Sequence, residues 1–357
     1  MSKTKPKKSA AREWVDALVF AVVAASLIRW LLLEPFTIPT ASMEKSLLVG
    51  DFLFVSKMHY GTRIPKTPLQ VPLTHQKIWG TEISSYSDAI QLPYYRLPGF
   101  SDVERNDVVV FNYPVEFQYP PDLKTNYIKR AVGVPGDEIK IEAGVLSVNG
   151  EVAPLPEEMQ FSYEVVSTRP LNAEFFNTYG INPDSYYSFT SSSGYLVFAT
   201  DAVAKRLEAS PIVSSVKKRI QPPGGESGIF PDGNLLGWNK DNYGPLKIPA
   251  KGWTIPMTTQ NVINYSFTIQ HYEGHENVDV REGAVYIDGQ KVEEYTFKQD
   301  YFFMMGDNRH DSLDSRYWGF VPEDHVVGKA WFLWLSLDKF ESLFGKIRWN
   351  RFFKGIE

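Results

Sequence analysis

The hydrophobic pattern of the chain begins with one long apolar segment and continues with many short ones. From Trp14 to Leu33 the residues are almost wholly apolar, with interruptions at Asp16, Ser26 and Arg29. A helix of about 20 residues is about 30 Å long, which matches the hydrocarbon core of a bilayer. Arg29 lies near the far end, where its guanidinium can reach the interface. The pattern therefore predicts a transmembrane anchor over 14–33.

The segment before this anchor is basic. Five Lys or Arg side chains precede Trp14, and only Glu13 opposes them. Segments rich in Lys and Arg beside a transmembrane helix remain in the cytoplasm. Residues 1–13 are therefore predicted to be a cytoplasmic tail, and everything after Leu33 is predicted to be extracytoplasmic. A cleaved secretory signal with its apolar core at Ala17–Ile28 is the alternative. That alternative is disfavoured because no A-x-A site follows the core.

Short strand patterns dominate the chain after the anchor. Asp51–Lys57 alternates between apolar and polar residues, and Asp107–Tyr113 is a more continuously apolar run. Further strands are predicted over Tyr127–Val134 and Glu138–Ile141, joined by the turn at 135–137. A mainly β fold follows from these patterns.

Two segments carry the signal of a tight hairpin. Gly144–Val152 contains Asn149-Gly150, and Gly283–Val292 contains Asp288-Gly289. The similarity of the two segments is explained equally well by a weak internal repeat and by two hairpins that use the same turn chemistry.

Composition shifts suggest how the rest of the chain is divided. Residues 59–105 are rich in Pro, Tyr and Ser and predict a long loop, while Pro-Gly clusters in 155–270 suggest an inserted β-rich subdomain. The β core then consists of 34–154 and 271–330. The aromatic and basic segment 331–357 is predicted either to rest on an anionic membrane surface or to form a helix packed on the body.

The overall composition excludes several classes of protein. Hydrophobic residues make up 43% and charged residues 22%, which is typical of a globular fold. A net charge of -5 argues against nucleic acid as the main partner. The chain has no Cys and only six His, so a thiol enzyme and a zinc enzyme are both disfavoured.

The first candidate for chemistry follows directly after the anchor. Ser42 is nine residues beyond Leu33, hence at most about 30 Å from the membrane edge. A serine becomes a nucleophile only when a base removes its proton, and no His is placed by sequence to do so. A lysine is the natural alternative if burial lowers its pKa. Lys45, in an S-x-x-K spacing, and Lys129, within a predicted strand, both qualify.

After the segments that contain Ser42 and Lys129, a third cluster of candidate residues is the polar segment 306–319, which reads GDNRHDSLDSRYWG. It lies between two apolar runs, and its Asp314 and Arg316 are suited to form an ion pair within a tight turn. By itself this pattern is typical of a well-capped structural loop.

Taken together, the three clusters resemble type I signal peptidase, a membrane-anchored serine protease that removes signal peptides from secretory proteins. The segments that carry the resemblance are 36–57 (FTIPTASMEKSLLVGDFLFVSK), 127–139 (YIKRAVGVPGDEI) and 304–319 (MMGDNRHDSLDSRYWG). They occur in the family's order behind a single anchor. The resemblance covers the anchor, 34–58, 107–150 and about 283–330, and it implies an antiparallel β catalytic core with an inserted domain.

The resemblance also implies a role for each matching residue. Ser42 corresponds to the nucleophile and Lys129 to the general base, in a dyad without His that works through an acyl-enzyme. The oxyanion hole is expected at the Ser42 N–H and the Thr40 hydroxyl, and Ser312 is expected to orient the lysine. The supporting positions are Arg130, Asp307, Asp314 and Arg316, and the substrate pocket is expected beside Phe36, Ile38 and Met43.

One departure from the family pattern is visible. The family's serine motif commonly reads Ser-Met-x-Pro-Thr-Leu, whereas this chain has Lys45 in place of the proline. A penicillin-binding enzyme would use Lys45 as its base, but it would also need a K-T-G element, which is absent. A non-catalytic anchored β-domain that acts as an adaptor is the other alternative.

The resemblance implies the setting of the reaction as well. The expected partners are secretory precursors with Ala-x-Ala cleavage sites and the lipid bilayer, without nucleic acid and without a cofactor or metal. The expected location is a bacterial inner membrane, with a single pass, a cytoplasmic N-terminus and a periplasmic or other extracytoplasmic catalytic domain.

Overall fold

The computed structural model describes residues 9–154, 156–189, 193–342 and 345–356. The lysines of the predicted basic tail at positions 3, 5, 7 and 8 lie outside these residues. Over the described part the protein is mainly β with an N-terminal apolar helix, as the sequence predicted.

The described residues form six α-helices. They are α1 (Ala10–Leu31), α2 (Ala173–Thr178), α3 (Asp201–Glu208), α4 (Gly233–Leu236), α5 (Thr259–Tyr272) and α6 (Ser315–Trp318). Short 3-10 turns occur at Ala41–Met43, Pro121–Leu123, Pro183–Ser185, Glu323–His325 and Trp349–Arg351.

Twenty strands account for most of the remaining regular structure in the described ranges. The first eleven are β1 (Leu33–Thr37), β2 (Asp51–Ser56), β3 (Val108–Asn112), β4 (Asn126–Gly133), β5 (Glu138–Glu142), β6 (Val145–Val148), β7 (Glu151–Val152), β8 (Gln160–Ser167), β9 (Tyr186–Ser188), β10 (Gly194–Thr200) and β11 (Val213–Lys218). The others are β12 (Tyr243–Lys247), β13 (Thr254–Pro256), β14 (Val278–Arg281), β15 (Ala284–Ile287), β16 (Gln290–Lys291), β17 (Glu294–Thr296), β18 (Tyr301–Met305), β19 (Val321–Pro322) and β20 (Val326–Ser336).

Helix α1 corresponds to the predicted anchor with shifted ends. It starts at Ala10 and ends at Leu31, and none of its residues is buried against the body. Leu33 and Glu34 belong instead to β1, because they pair with Ser56 and Val55 of β2. This helix of 22 residues is long and apolar enough to cross a bilayer, and it is not buried inside the protein.

A seven-stranded antiparallel sheet forms the frame of the protein, in the order β1-β2-β20-β3-β4-β18-β19. Strand β4 lies inside this sheet between β3 and β18, with Lys129 opposite Val109 and Arg130 opposite Met305. An interior strand is held on both sides, so its side chains have fixed positions. A second sheet, β12-β5-β6-β7, shares an apolar core with β18 and α5.

The inserted region is divided differently from the prediction. An independent four-stranded sheet, β11-β8-β10-β9, packs with α2 and α3 around its own core, which includes Val165, Phe176 and Val197. After it, β12 returns to pair with β5 of the main body. The separate unit therefore spans about 160–218, and the rest of 155–270 is interwoven with the core through strand pairing.

Helix α5 lies where the sequence suggested β structure. Thr258 caps its first turn by accepting from the Asn261 N–H, and Val262, Tyr265 and Ile269 are buried on one side. This spacing is helical, because positions three and seven apart share a face. The capping residue and this spacing were present in the sequence but were obscured by the surrounding turn signals.

Both predicted hairpin turns are formed. Asn149 and Gly150 have φ values of 53° and 83°, and Asp288 and Gly289 have φ values of 50° and 78°. Two consecutive positive φ values are the mark of a type I′ turn, which matches the twist of the flanking strands. Residues 59–105 are a long loop as predicted, held by isolated bridges such as Arg63 to Arg96.

The end of the chain is integrated with the core. Strand β20 runs through Ser336 and so crosses the boundary expected at residue 330. Farther along, Arg351 forms a buried ion pair with Asp51 of β2 (Nη2 to Oδ2, 2.5 Å). No α-helix forms in the described residues after β20, so the predicted packed helix is wrong: the strand pairing and this ion pair hold the segment instead. The membrane-surface alternative stays a prediction, with Trp349 and Phe353 exposed.

Candidate active site

The structure brings Ser42 and Lys129 into direct contact. Ser42 lies in the 3-10 turn between β1 and β2, and Lys129 projects from β4. The distance from Lys129 Nζ to Ser42 Oγ is 2.7 Å, within the range for a hydrogen bond. A neutral amine at this distance can accept the hydroxyl proton, which is the geometry that a serine nucleophile requires.

Burial suits Lys129 to act as a base. Only 3% of the residue is exposed, and its Nζ also lies 2.9 Å from the Ile128 carbonyl oxygen. Desolvation lowers the pKa of Lys129 to about 8, although the carboxylates of Asp314 and Asp307 oppose this shift. Loss of water disfavours the charged ammonium, and no carboxylate in the described part of the chain forms a hydrogen bond or ion pair with Lys129 Nζ.

The backbone around Ser42 leaves donors available for an oxyanion. Ser42 is the second residue of its 3-10 turn, where an N–H has no partner within the turn. Thr40 precedes this turn and is exposed, and its side chain makes no capping hydrogen bond. The two groups predicted for an oxyanion hole therefore lie together at the N-terminal end of this turn, with Thr40 as its capping residue and Ser42 within it.

The segment after β18 fixes the turn that carries Ser42. Asn308 donates from its backbone N–H to the Ser42 carbonyl oxygen (3.1 Å) and from its side-chain amide to the Ala41 carbonyl oxygen (3.2 Å). Asp307 next to it accepts from the Ser46 hydroxyl (2.6 Å). It also forms a buried bidentate pair with Arg130, with Nε to Oδ1 at 2.9 Å and Nη2 to Oδ2 at 2.7 Å. This pair links β4, next to Lys129, to the turn of Ser42.

Asp314 and Arg316 form the predicted ion pair. The contacts are bidentate, with Nε to Oδ1 at 2.9 Å and Nη2 to Oδ2 at 2.8 Å, and both side chains are buried. Burial alone would raise the pKa of Asp314, but the charge and hydrogen bonds of Arg316 lower it. Arg316 also donates to the Arg309 carbonyl oxygen (2.6 Å), so this pair closes the 306–319 loop.

Ser312 lies close to the dyad without contacting the lysine. Its Oγ is buried and, among the residues that the structure describes, has no partner of good hydrogen-bond geometry, although the hydroxyl contributes to the lowered pKa of Asp314. Gly306 separates it from the nucleophile: a Cβ on Gly306 would lie 2.3 Å from Ser312 Oγ and 2.5 Å from the Ser42 carbonyl oxygen. Any side chain at Gly306 would therefore push these two elements apart.

Lys45 is turned away from the nucleophile. Its Nζ donates to the Gly180 carbonyl oxygen of the inserted subdomain (2.6 Å), and its φ is 73°. A proline has φ near -65° and cannot adopt this conformation, so the departure from the family motif goes with a different backbone turn. Glu44 makes a second contact to the same region, accepting from the Asn182 side chain (3.0 Å).

The three residues expected at the substrate pocket differ in exposure. Phe36 is half-buried, whereas Ile38 is 3% exposed and Met43 is fully buried. Ile38 and Met43 belong to the apolar core beside β2 and β20. A side chain without exposed surface cannot line an open pocket, so Met43 instead packs in the apolar core beneath the turn that carries Ser42. Of the three residues, Phe36 is the one with substantial exposed surface.

A buried Ser-His-Asp network was missed from the sequence. His310 lies 2.8 Å from Asp241 Oδ1 through Nε2 and 2.7 Å from Ser162 Oγ through Nδ1. The Ser162 backbone N–H also donates to Nδ1 (3.1 Å), which fixes Nδ1 as an acceptor and the imidazole as neutral. Burial lowers the pKa of His310 further, although Asp241 opposes this shift. Ser162 is 6% exposed within β8, so the network joins the inserted sheet to the 306–319 loop.

Nothing in the local sequence could have revealed this network, since its three residues come from distant segments. The described ranges contain no group of three His, Asp or Glu side chains that could hold a metal ion.

Comparison with known proteins decides the family. The model of the family described as "Signal peptidase, peptidase S26" matches residues 11–192 and 295–335, more than half of the chain. The chain belongs to the signal peptidase family. It is a type I signal peptidase and a peptide-bond hydrolase, as the three sequence motifs predicted.

Several bacterial proteins named signal peptidase I are similar to this enzyme. That of Buchnera aphidicola (subspecies Acyrthosiphon pisum) is 27% identical over 330 residues, covering 90% of this chain and 74% of that protein. That of Pseudomonas aeruginosa is 27% identical over 321 residues, covering 87% and 67%. That of Rickettsia canadensis is 34% identical over 148 residues, covering 42% and 46%. Family membership supports removal of signal peptides by a serine protease.

Proposed function

We propose that Ser42 is the nucleophile and Lys129 the general base of this signal peptidase, and that the reaction proceeds through an acyl-enzyme. The observation that supports this most directly is the 2.7 Å contact between Lys129 Nζ and Ser42 Oγ. The burial that lowers the pKa of Lys129 to about 8 adds to it, since it makes a neutral amine accessible near neutral pH.

In the proposed reaction, Lys129 takes the Ser42 proton while Oγ attacks the carbonyl carbon at the cleavage site. The Ser42 N–H and the Thr40 hydroxyl stabilise the resulting oxyanion. The ammonium of Lys129 then protonates the leaving amine, and the signal peptide remains as an ester on Ser42. Lys129 next removes a proton from a water molecule, which hydrolyses the ester, and the proton returns to Ser42 Oγ.

Helix α1 provides the proposed anchor in the bacterial inner membrane, with the N-terminus in the cytoplasm. Ser42 follows the end of α1 by 11 residues, so the dyad stays close to the outer surface of the bilayer. The substrate is a precursor whose signal helix lies in the same bilayer and whose Ala-x-Ala site emerges there. Confinement of enzyme and substrate to one surface raises their effective concentration.

The supporting residues act through position. Arg130 and Asp307 hold the turn of Ser42 against β4, and Asp314 and Arg316 hold the loop that contains Asn308 and Ser312. In the proposed role of Ser312, its buried hydroxyl turns toward Lys129 and orients the amine when substrate is bound.

The test is cleavage of a purified precursor with an Ala-x-Ala site by the detergent-solubilised full chain. Lys129→Met keeps an unbranched side chain of similar size and removes the base, so turnover should fall by about 10³-fold or more. Lys45→Met is the matched control and should retain turnover within about threefold, because Lys45 contacts Gly180 rather than Ser42. Loss of turnover in Lys45→Met together with retention in Lys129→Met would make Lys45 the base. A parent protein that fails on several precursors would favour the adaptor alternative.

A further inference from the structure

A cavity of about 470 Å³ lies where the end of α1 meets the long loop. Its walls come mainly from the last two turns of α1, from Glu34 of β1, from Lys57 directly after β2, and from loop residues within 63–75. The cavity is separate from the dyad, since neither Ser42 nor Lys129 lines it. It is therefore a feature that the peptidase reaction does not explain.

Two polar side chains of α1 face this cavity without partners. Ser26 Oγ and Trp30 Nε1 are both buried and have no hydrogen-bond partner within the described residues. They are four positions apart and so lie on one face of the helix. A buried donor that lacks an acceptor costs about 1–3 kcal/mol, and two of them facing one cavity indicate a ligand that supplies acceptors.

The charged residues of the cavity leave an excess of positive charge. Glu34 accepts from Arg29 through Oε1 (2.7 Å) and contacts Lys57 through Oε2 (2.8 Å), so one carboxylate serves two cations. The other charged lining residues, Arg63 and Asp122, carry opposite charges, so the lining holds three positive charges against two negative ones in total. The neighbouring His75 lies against the Lys124 carbonyl oxygen, and burial lowers its pKa, so it adds no charge at neutral pH.

The position of the cavity limits the kind of ligand. Arg29 is 19 residues beyond the start of α1, or about 28 Å along the helix axis, which is the depth of the outer interface if α1 spans the bilayer. Leu27 lines the cavity and is 46% exposed, so the cavity reaches the apolar surface of the helix where acyl chains would lie. An apolar signal helix cannot be the ligand that satisfies these donors, because its backbone acceptors are already bonded within the helix.

We propose that this cavity, which we call the α1 exit cavity, binds the phosphate ester of a lipid headgroup from the outer leaflet, with Ser26, Arg29, Trp30 and Lys57 as donors to the phosphate oxygens. The proposal rests on the membrane anchoring given under the proposed function. Its consequence is a catalytic body held in a fixed orientation relative to the membrane surface.

The test is titration of the detergent-solubilised full chain, followed by native mass spectrometry, with three probes. They are dioleoylphosphatidylglycerol, dioleoylglycerol, which has the same chains without phosphate, and glycerol 3-phosphate, which has the phosphate without chains. We expect the phospholipid to bind at least tenfold more tightly than dioleoylglycerol. Equal binding of these two lipids would overturn the proposal. Binding of glycerol 3-phosphate as tight as that of the phospholipid would overturn the lipid assignment and give the phosphate site to a soluble ester.

Substitutions locate the site. Ser26→Ala with Trp30→Phe removes both unpartnered donors while keeping a small side chain and an aromatic ring at these positions, and should weaken phospholipid binding about tenfold. Trp334→Phe is the matched control, because Trp334 Nε1 is also buried and has no partner within the described residues but lies outside the cavity. The Trp334→Phe variant should bind the phospholipid as tightly as the parent. Parent-like binding by the double variant would overturn the assignment to this cavity. If the double variant does not fold, Trp30→Phe alone should give a smaller loss of about threefold.

Cleavage by the parent is measured in the same preparation. A parent that binds phospholipid but does not cut would contradict the proposed dyad and leave the lipid site intact, whereas a parent that cuts without a preference for phosphate would contradict only the lipid site.

Discussion

Lys129 Nζ lies 2.7 Å from Ser42 Oγ although 87 positions in the chain separate the two residues. Each is fixed by a different element: Lys129 by an interior strand of the main sheet, and Ser42 by a turn whose carbonyl groups accept from Asn308. The Arg130–Asp307 pair joins these two elements. The contact is therefore set jointly by the main sheet, which carries Lys129, and by the 306–319 loop, which holds the turn of Ser42.

The first prediction concerns pH. Because burial lowers the pKa of Lys129 to about 8 and the neutral amine is the active form, kcat/KM should increase as pH rises through this value. The neutral fraction is about a tenth at pH 7 and about nine tenths at pH 9, so the increase should be close to tenfold. Cleavage of a precursor measured from pH 6 to 10 checks this, and a flat or falling profile over that range would contradict Lys129 as the base.

The second prediction concerns the turn after the nucleophile. Lys45→Pro places a residue with φ near -65° where the backbone has φ of 73°, so it should lower the free energy of unfolding by about 3 kcal/mol and reduce cleavage. Lys45→Gly relieves the left-handed conformation and should leave stability unchanged or raise it by about 1 kcal/mol. Urea unfolding of both variants checks this.

If Lys45→Pro proved as stable and active as the parent, the turn would have to adopt the conformation that the family motif implies. The contact between Lys45 and Gly180 would then be dispensable as well.

The third prediction concerns the buried ion pair beside the dyad. Asp307→Asn leaves the buried guanidinium of Arg130 without its counter-charge and should reduce the free energy of unfolding by about 3 kcal/mol. The exposed pair between Lys140 and Glu142 is the control, and Glu142→Gln should cost less than about 0.5 kcal/mol. Equal effects in denaturant titrations would mean that the Arg130–Asp307 pair carries no special share of the stability.

The fourth prediction separates the two serine networks. Ser162→Ala should retain cleavage within about twofold, because Ser162 is buried in β8 and serves to dock the inserted sheet. Ser42→Ala should lose cleavage by about 10³-fold or more. Single-turnover assays of both variants check this. Loss of activity in a folded Ser162→Ala variant would assign the chemistry to the Ser-His-Asp network instead.

Local pattern was enough to predict much of the fold. Strands β2, β3, β4 and β5 lie where apolar alternation or runs indicated them, and both type I′ hairpins form at Asn149-Gly150 and Asp288-Gly289. These features depend on residues near one another in sequence. Helix α5 was missed, although its capping residue and spacing are local, because surrounding turn residues obscured them.

The sequence by itself determined the long apolar N-terminal helix, the mainly β class and the residue types of the proposed dyad, since apolar length, side-chain alternation and motif spacing are properties of neighbouring residues. Only the tertiary structure decided that Lys129, and not Lys45, lies beside Ser42, that Met43 is buried, and that His310 joins Ser162 to Asp241. Those facts depend on strand pairing between distant segments and on the burial that follows from it. The distance between Lys129 and Ser42, and the lowering of the Lys129 pKa by burial, arise only when the sheets have assembled.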